Sequence, residues 1–276
     1  MCPCAIISLV FRRRDKRPSK TAPASGKALA MVLFERPEPL TPDALKEGWR
    51  AAWPRCAPPT DFFGDTDDNG TSSMTCQLDT MTGALGMMPA RIPGGELERA
   101  TAWLWPNAEV ELTRADAHAI VWVSGPVGQV DAHCALTRLI AAVVNSTETL
   151  GVYLGGAGHV IRANVFDEMA RHYLDHDLLP ALLWIDFQVG VDDGRATLLT
   201  RGMTEFGLME LEVERSQKSP GELREFAMNI AEYLLREGAV IRHGDTVGEN
   251  ENQRVRVRHA PSVADRPGPV YRFEGL

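Results

Sequence analysis

The clearest alternation of hydrophobic and polar positions lies at residues 209–214, where each apolar side chain is followed by a glutamate. A period of two is typical of a strand with one buried and one exposed face, so this segment is predicted to be a half-buried strand. The apolar members are Met209, Leu211 and Val213, and the glutamates are Glu210, Glu212 and Glu214.

A well-delimited amphipathic helix is predicted directly after this strand. Ser219 offers a hydroxyl for the N-cap, Pro220 suits the first turn, and Glu222 completes a capping box. Gly238 can adopt the left-handed conformation that ends a helix. One apolar face recurs at helical spacing and consists of Leu223, Phe226, Ala227, Ile230 and Leu234.

Hydrophobic periodicity predicts an α+β fold, with antiparallel-rich mixed sheets packed against amphipathic helices. In the first half, strands are predicted at 28–34, 73–80, 83–90 and 117–124, helices at 42–53 and 96–103, and a loop over 54–71. This β-α-β-β-α-β order is that of a ferredoxin-like split unit.

The second half is predicted to begin with a long helix at 127–145. Its buried face comprises Val130, Cys134, Leu139, Ile140 and Val144. A strand at 151–154, a helix at 165–173 and strands at 182–189, 195–201, 254–258 and 270–273 are also predicted. A proline-glycine helix start follows paired strands in both parts, so we expect a folded region over 28–276 that divides into related halves, 28–125 and 126–276.

The first 27 residues differ in composition from the rest. They have a net charge of +6, which leaves −14 for residues 28–276 of a chain whose net charge is −8. Proline, serine and lysine dominate after the apolar run at 5–11, so residues 1–27 are predicted to be a disordered basic leader. The alternative is a weak tether to an anionic membrane, since the apolar run is too short to span a bilayer but adjoins the basic cluster.

Six segments occur in a characteristic order between about residues 29 and 250. They are AMVLFERP, GMMPARIPGGELERATAWLWPNAE, HAIVWVSG, GVYLGGAG, GMTEFGLMELEV and RHGDTVG. In this ordered set the chain resembles the domain-of-unknown-function 4261 family. The resemblance implies a soluble, uncharacterised bacterial protein, and it carries over no catalytic residue.

The glutamates of the 209–214 strand, Glu210, Glu212 and Glu214, are the first candidate site. A mirror pattern of arginines alternating with valines follows at Arg254, Arg256 and Arg258. We expect the two strands to be neighbours, so that glutamates and arginines form a structural charge ladder across the sheet. The alternatives are a solvated face and an acidic site that binds a cation or a basic partner.

Residues 65–70 resemble the early half of a calcium-binding loop. Asp65, Asp67 and Asn69 would supply converging oxygens, and the glycine at the sixth position permits the sharp turn. Cys76 occupies the place of the bidentate glutamate that completes such a loop. A polar turn is therefore the preferred interpretation, and the three residues are weak metal candidates.

Other residues capable of chemistry are interpreted structurally, and no cofactor is predicted. His172 and His176 lack the H-E-x-x-H pattern and indicate surface histidines near a helix end. The glycine-rich loop at 155–158 lacks the lysine of a P-loop and is predicted to be a tight turn. Five scattered cysteines without a C-x-x-C pair indicate reduced thiols. The tryptophans predicted to be core residues are Trp103, Trp105, Trp122 and Trp184.

The leading hypothesis is a cytoplasmic, non-enzymatic binding or protein-interaction domain, acidic enough to meet a basic protein partner. The alternative is an enzyme whose active site is assembled in a cleft between the two halves. The negative charge of the folded part argues against nucleic-acid binding, and no apolar run is long enough for integral membrane association. The oligomeric state stays open.

Overall fold

The computed structural model describes residues 25–66, 72–102, 105–248, 254–264 and 266–276, and these residues build two separate sheets. Among them, the residues up to Trp184 and those from Ile185 onward form two units, the N-terminal and the C-terminal unit. Each combines a predominantly antiparallel sheet with helices, so the predicted α+β class is confirmed. Residues 1–24 of the predicted leader lie outside the described residues, whereas Gly26 and Lys27 already belong to the first strand.

The N-terminal unit contains a sheet of seven strands. They are β1 (Gly26–Phe34), β2 (Thr60–Thr66), β3 (Ser72–Leu78), β4 (Met81–Met88), β5 (Ala117–Gly125), β6 (Thr149–Leu154) and β7 (His159–Arg162). The strand order is β2-β3-β4-β5-β1-β6-β7, and all of these ladders are antiparallel. The helices are α1 (Pro42–Ala52), α2 (Ala108–Glu111), α3 (Gln129–Val144), α4 (Ala163–Leu174) and α5 (Ala181–Trp184).

Helix α3 organises the core of the N-terminal unit, because it packs on β1 and β5 and also contacts α1 and α4. Between Ala132 and Val143 all of its residues except Cys134 and Arg138 are buried. The predicted buried face is therefore only partly right: Leu139 and Ile140 are buried, whereas Val130, Cys134 and Val144 are half-buried. Helices α1 and α4 cover further sides of α3. A Cβ at Gly48 of α1 would lie only 2.1 Å from the Ala142 carbonyl oxygen, so glycine permits the close approach of the two helices.

Helix α1 begins where its cap predicts. The Thr41 hydroxyl accepts a hydrogen bond from the Ala44 amide at 3.2 Å, and a proline occupies the first turn. The helix predicted at 96–103 is wrong, because two short 3₁₀ turns, Pro93–Gly95 and Leu97–Arg99, stand there instead. Within the predicted span, Ala100 already has extended backbone angles (φ −72°, ψ 142°) and Thr101 pairs with His159, so a helix cannot continue through these residues.

The ferredoxin-like order is also wrong. Strand β1 lies between β5 and β6 and is antiparallel to both, and β2 lies within the predicted 54–71 loop. The N-terminal unit continues to Trp184, since α3 packs on β1 and β5 while β6 pairs with β1. The division predicted at 125/126 thus falls inside this unit, and the halves 28–125 and 126–276 do not correspond to the two units.

The C-terminal unit contains a mixed sheet of six strands. They are β8 (Asp186–Asp192), β9 (Arg195–Arg201), β10 (Leu211–Ser216), β11 (Thr246–Val247), β12 (Val255–Pro261) and β13 (Pro269–Glu274), and α6 (Pro220–Glu237) follows β10. The strand order is β11-β12-β13-β10-β9-β8, in which β10 and β13 are parallel and the other neighbours antiparallel.

The predicted capped helix is confirmed as α6. The Ser219 hydroxyl accepts from the Glu222 amide and the Glu222 carboxylate accepts from the Ser219 amide, at 3.3 Å and 2.8 Å. Gly238 ends the helix with a φ of 57°. The predicted apolar face is buried against β8 and β9, and Phe226 meets Phe273 edge to face with ring centroids 5.5 Å apart.

We expect the stability of the protein to depend on pH through His133 of α3. Its Nδ1 donates to the Gln129 carbonyl at 2.9 Å, its ring packs edge-on against Trp184, and burial lowers the pKa of His133 from 6.5 to about 4. In the unfolded chain His133 binds a proton as the pH falls through 6.5, whereas in the folded chain it does so only near pH 4. The free energy of unfolding therefore decreases as the pH falls from 6.5 to 4. The expected decrease is about 3 kcal/mol.

Urea denaturation at a series of pH values measures this decrease. The variant His133→Asn should show a flatter profile below pH 6.5 than the unsubstituted protein. Two parallel profiles would contradict the assignment of the effect to His133.

Candidate interaction face

The predicted ladder between glutamates and arginines does not form, because β13 lies between β10 and β12. A short connection joins β12 to β13, so β13 pairs with β12 at the position that was expected for β10. Arg258 instead pairs with Glu274 of β13 at 2.8 Å, while Arg254 and Arg256 are exposed. The residue that neutralises β10 is Arg272 of β13, which contacts Glu212 at 2.6 Å and Glu214 at 2.8 Å.

Two of the three glutamates are buried and act as hydrogen-bond acceptors inside the C-terminal unit. The Glu210 carboxylate accepts from the hydroxyl of Thr200 at 2.7 Å and from the amide of Gly202 at 2.9 Å. Further amide donors to it are Met203 and Thr204. The Glu212 carboxylate accepts from Ser262 and from the Val263 amide in addition to Arg272. Neither side chain belongs to a solvated face, since they are 8% and 1% exposed.

The weak metal candidates are only partly described. Asp65 lies exposed on β2 opposite Ser73, and Asp67 and Asn69 lie outside the described residues. The calcium loop therefore stays a prediction. Among the residues that the structure describes, no group of three or more histidine, cysteine, aspartate or glutamate residues could hold a metal ion.

The remaining candidates occupy the positions that a structural role predicts. His172 and His176 lie at the end of α4 and beyond it, with ring centroids 5.4 Å apart. The loop at 155–158 is the turn of the β6–β7 hairpin, where the Gly158 amide donates to the Leu154 carbonyl at 2.7 Å, so the predicted tight turn is confirmed. Trp105 and Trp184 are buried, Trp122 is half-buried, and Trp103 lies outside the described residues.

The N-terminal sheet has one thoroughly buried face. Ala28, Ala30 and Val32 of β1 point to this face, with Val121 and Val123 of β5 beside them, and all are at most 3% exposed. Helix α3 covers this side. Cys76 of β3 is also buried there, and burial raises the pKa of its thiol from 9.0 to about 11, so it is not a nucleophile at neutral pH.

The opposite face of the same sheet carries a row of side chains that crosses five strands. Residues directly opposite each other in antiparallel strands point to the same side. The strand pairing therefore aligns Leu29 of β1, Trp122 of β5, Ala84 of β4, Thr75 of β3 and Phe63 of β2. Leu29 is 48% exposed and Phe63 is 73% exposed, so we call this side the open face.

A second row runs beside the first, and the two rows together determine the shape of the open face. It consists of Met31, Ile120, Gly86, Ser73 and Asp65 in the same strand order. Large side chains thus stand on β1 and β5, and Phe63 stands on β2. Between them β4 and β3 carry only Ala84, Gly86, Ser73 and Thr75, which form the floor of a shallow trough.

The backbone at Gly86 shows how much room the trough offers. A Cβ placed there would meet a single side-chain atom within 4 Å, the Met88 Cε at 3.6 Å, which is an ordinary van der Waals distance. A Cβ at Gly83, which points to the buried face, would meet three side-chain atoms at 3.0 Å. The two glycines of β4 therefore mark a packed side and an unfilled side of one strand.

One end of this side of the sheet is covered by the chain itself. Leu33, Tyr153 and Val160 lie in a cluster with Leu97 and Trp105 from the segment that joins β4 to β5. A Cβ at Gly151 would lie 2.5 Å from the Trp105 ring, so packing is tight at this end. The rows that begin at Leu29 and Met31 lie outside this covered end of the sheet, although Met31 still packs against the edge of the cluster.

Charges stand at the margins of the open face. Exposed Asp65 ends the second row on β2, and Asp61 and Asp79 are exposed on β2 and on the β3–β4 turn. Lys27 of β1 is exposed at the opposite margin. Chemically, the open face offers apolar contact area with an acidic margin along β2 and β3. The alternation does not identify this face in the sequence, because from Ala28 onward the residues of β1 are apolar on both sides.

Valine substitutions at the two glycines of β4 distinguish the buried face from the open face. Gly83→Val should overpack the core and lower the free energy of unfolding by about 1–3 kcal/mol. Gly86→Val should leave it unchanged or raise it by less than about 1 kcal/mol, because valine favours strands and meets open space. Thermal and urea denaturation measure both values, and equal losses would contradict the assignment of the two faces.

Alanine substitutions at the two partners of Arg272 should have unequal effects. Glu212 has a side-chain exposure of 2% and Arg272 of 20%, so Glu212→Ala leaves a largely buried guanidinium without its main partner. The expected loss in the free energy of unfolding is about 3–5 kcal/mol. Glu214 is 46% exposed, and Glu214→Ala should cost less than about 1 kcal/mol. Similar small losses in urea denaturation would contradict a structural role for Glu212.

Comparison with known proteins identifies one region. Residues 199–274 match the family model described as Domain of unknown function (DUF4261), which spans the C-terminal unit from within β9 to the end of β13. Residues 29–198, to which the resemblance of the sequence also extends, lie outside this match. No curated protein and no solved structure matches the chain. None of the described helices is both long enough and apolar enough to cross a membrane.

Proposed function

We propose that the protein, whose residues 199–274 match the model of a domain of unknown function, is a non-enzymatic protein-interaction domain. The open face of the N-terminal unit is the binding surface. Its partner is a basic protein segment that also carries apolar side chains.

The observation that carries this proposal is the row from Leu29 to Phe63. Neighbouring strands lie about 4.8 Å apart, so the row extends over about 19 Å of surface. Exposed apolar side chains with polar residues at the margin, as at Leu29 and Phe63, mark interaction sites on proteins. Trp122 and Phe63 flank the trough, and aromatic residues of this type contribute most to binding energy at interfaces.

The charge of the molecule supports a basic partner. Residues 28–276 carry a net charge of −14, and Asp65, Asp61 and Asp79 stand along the β2–β3 margin. Complementary potential increases the rate of encounter and selects against acidic partners. A segment that inserts an apolar side chain into the trough could therefore place lysine or arginine beside Asp65.

The acidic strand supports the non-enzymatic interpretation as well. A general base needs a carboxylate oxygen that is within reach of substrate. The Glu210 and Glu212 carboxylates accept hydrogen bonds from several protein donors, so they hold loops and strands together. We further propose a bacterial cytoplasm as the location, because Cys56 and Cys76 are thiols.

A phage-displayed library of random peptides, selected against the full-length protein, tests the proposal. The enriched peptides should combine apolar residues with lysine or arginine, and their affinity should fall as salt is raised. Phe63→Asp should weaken binding by about tenfold or more, as expected for the loss of an exposed aromatic contact.

The matched control is Val110→Asp, which introduces the same charge at an apolar side chain of α2 that is 63% exposed. It should bind the selected peptides like the unsubstituted protein. Acidic peptides, or equal binding by Phe63→Asp, would contradict the proposed surface.

A further inference from the structure

We propose that β8, the outermost strand of the C-terminal sheet, is a self-association site to which a second copy of the chain adds its own β8 in antiparallel orientation. The strand comprises Asp186–Asp192 and pairs with β9 on one side. We call its other side the β8 edge. It belongs to the C-terminal unit, whereas the open face belongs to the N-terminal unit.

The turn after β8 determines which backbone groups bond to β9. Asp193 and Gly194 form this turn with φ angles of 47° and 70°, the type I′ geometry of a two-residue hairpin. In such a turn the amide of the fourth residue donates to the carbonyl of the first. Asp192 and Arg195, which are opposite each other, are therefore a hydrogen-bonded pair.

The residues that face the β8 edge follow from this pair, because bonded and non-bonded pairs alternate along an antiparallel ladder. Gly190 is the next residue of β8 that bonds to β9, so Val189 and Val191 direct their amide and carbonyl groups to the edge. Among the described residues, no turn or loop hydrogen bond uses either of these amides. Val191 is also 65% exposed, so the edge offers unpaired backbone groups together with an apolar side chain.

The other outermost strands are protected in ways that β8 is not. Strand β2 has a register shift between Thr60 and Phe63, where Asp61 has a φ of 49°. Strand β7 is bridged by Thr101, and β11 is two residues long. Bulges, cover and short length all hinder edge-to-edge pairing. Strand β8 pairs with β9 without a register shift and contains neither lysine nor proline, so a further strand can add to it.

The order of side chains in β8 favours a second copy as the added strand. Val189 and Val191 stand symmetrically about Gly190. Around a two-fold axis at Gly190, Val189 of each copy is opposite Val191 of the other, and each such pair exchanges both of its backbone hydrogen bonds. The glycines themselves form the close, non-bonded pair on the axis, with Cα atoms about 4.5 Å apart. β-Branched residues that are opposite each other also stabilise strand pairing.

Charge does not oppose this pairing at close range. In the register centred on Gly190, Asp192 of one copy is opposite Gln188 of the other, so like charges do not face each other directly. The two Asp192 residues are about 14 Å apart, which exceeds the Debye length of about 8 Å at physiological ionic strength. The net charge of −8 makes two copies repel each other at low salt. Self-association should therefore strengthen as salt is raised, whereas peptide binding at the open face should weaken.

Amide hydrogen exchange in the full-length protein tests the β8 edge residue by residue. A single strand pair belongs to the transient class of interfaces below about 1,200 Å², so we expect a reversible dimer that forms toward millimolar concentration. The amides of Val189 and Val191 should exchange about tenfold or more slowly in a millimolar than in a micromolar sample, as measured by NMR. The Gly190 amide, which bonds to β9, is the internal control and should be protected equally in both samples.

Sedimentation velocity on the same samples reports the oligomeric state. A chain that stays monomeric at millimolar concentration would overturn the proposal. A dimer in which the amides of Val189 and Val191 exchange as fast as in the monomer would overturn it as well, because association would then use another surface.

Two substitutions at Val191 separate the backbone contact from the side chain. Val191→Pro removes an amide that points away from β9, a position that tolerates proline in outermost strands, and it should raise the dissociation constant of the dimer about tenfold or more. Val191→Thr keeps the amide and the β-branched shape and should change that constant by less than about twofold. Cooperative urea unfolding verifies that each variant is folded. Unchanged self-association of folded Val191→Pro would contradict the site, and the exchange experiment on the unsubstituted protein decides if this variant does not fold.

Discussion

The position of α3 against β1 and β5 is the constraint on which the N-terminal unit depends. Because the sheet and two further helices enclose α3, one face of the sheet is filled completely. The opposite face is covered by other segments of the chain, and among the described residues this cover lies around Leu33, Tyr153 and Val160. The open face is thus a direct result of how the other face is packed.

Local signals in the sequence were sufficient wherever a structure is decided by neighbouring residues. Thr41 and Ser219 mark the starts of α1 and α6, and Gly238 marks the end of α6, because caps act over three or four positions. The helix predicted at 96–103 failed because Ala100 is extended and Thr101 pairs with His159, a residue far along the chain.

The candidate site could not be predicted in this way, because it depends on which strands become neighbours. Both sides of β1 are apolar, so its sequence alone does not tell which side α3 covers. Glu210 looked solvent-facing, yet its burial follows from donors at Thr200, Gly202 and Met203 that only the fold brings together. Arg272 likewise reaches Glu212 only because β13 enters the sheet beside β10.

The place of β13 in the C-terminal sheet has a consequence for biosynthesis. This strand joins β12 and β11 on one side to β10, β9 and β8 on the other, although it is the last of the six strands to be made. During translation the two groups of strands therefore remain unconnected until residues 269–274 have left the ribosome. The unit must assemble after its synthesis rather than strand by strand, and until then both edges that β13 will fill are open to chaperones.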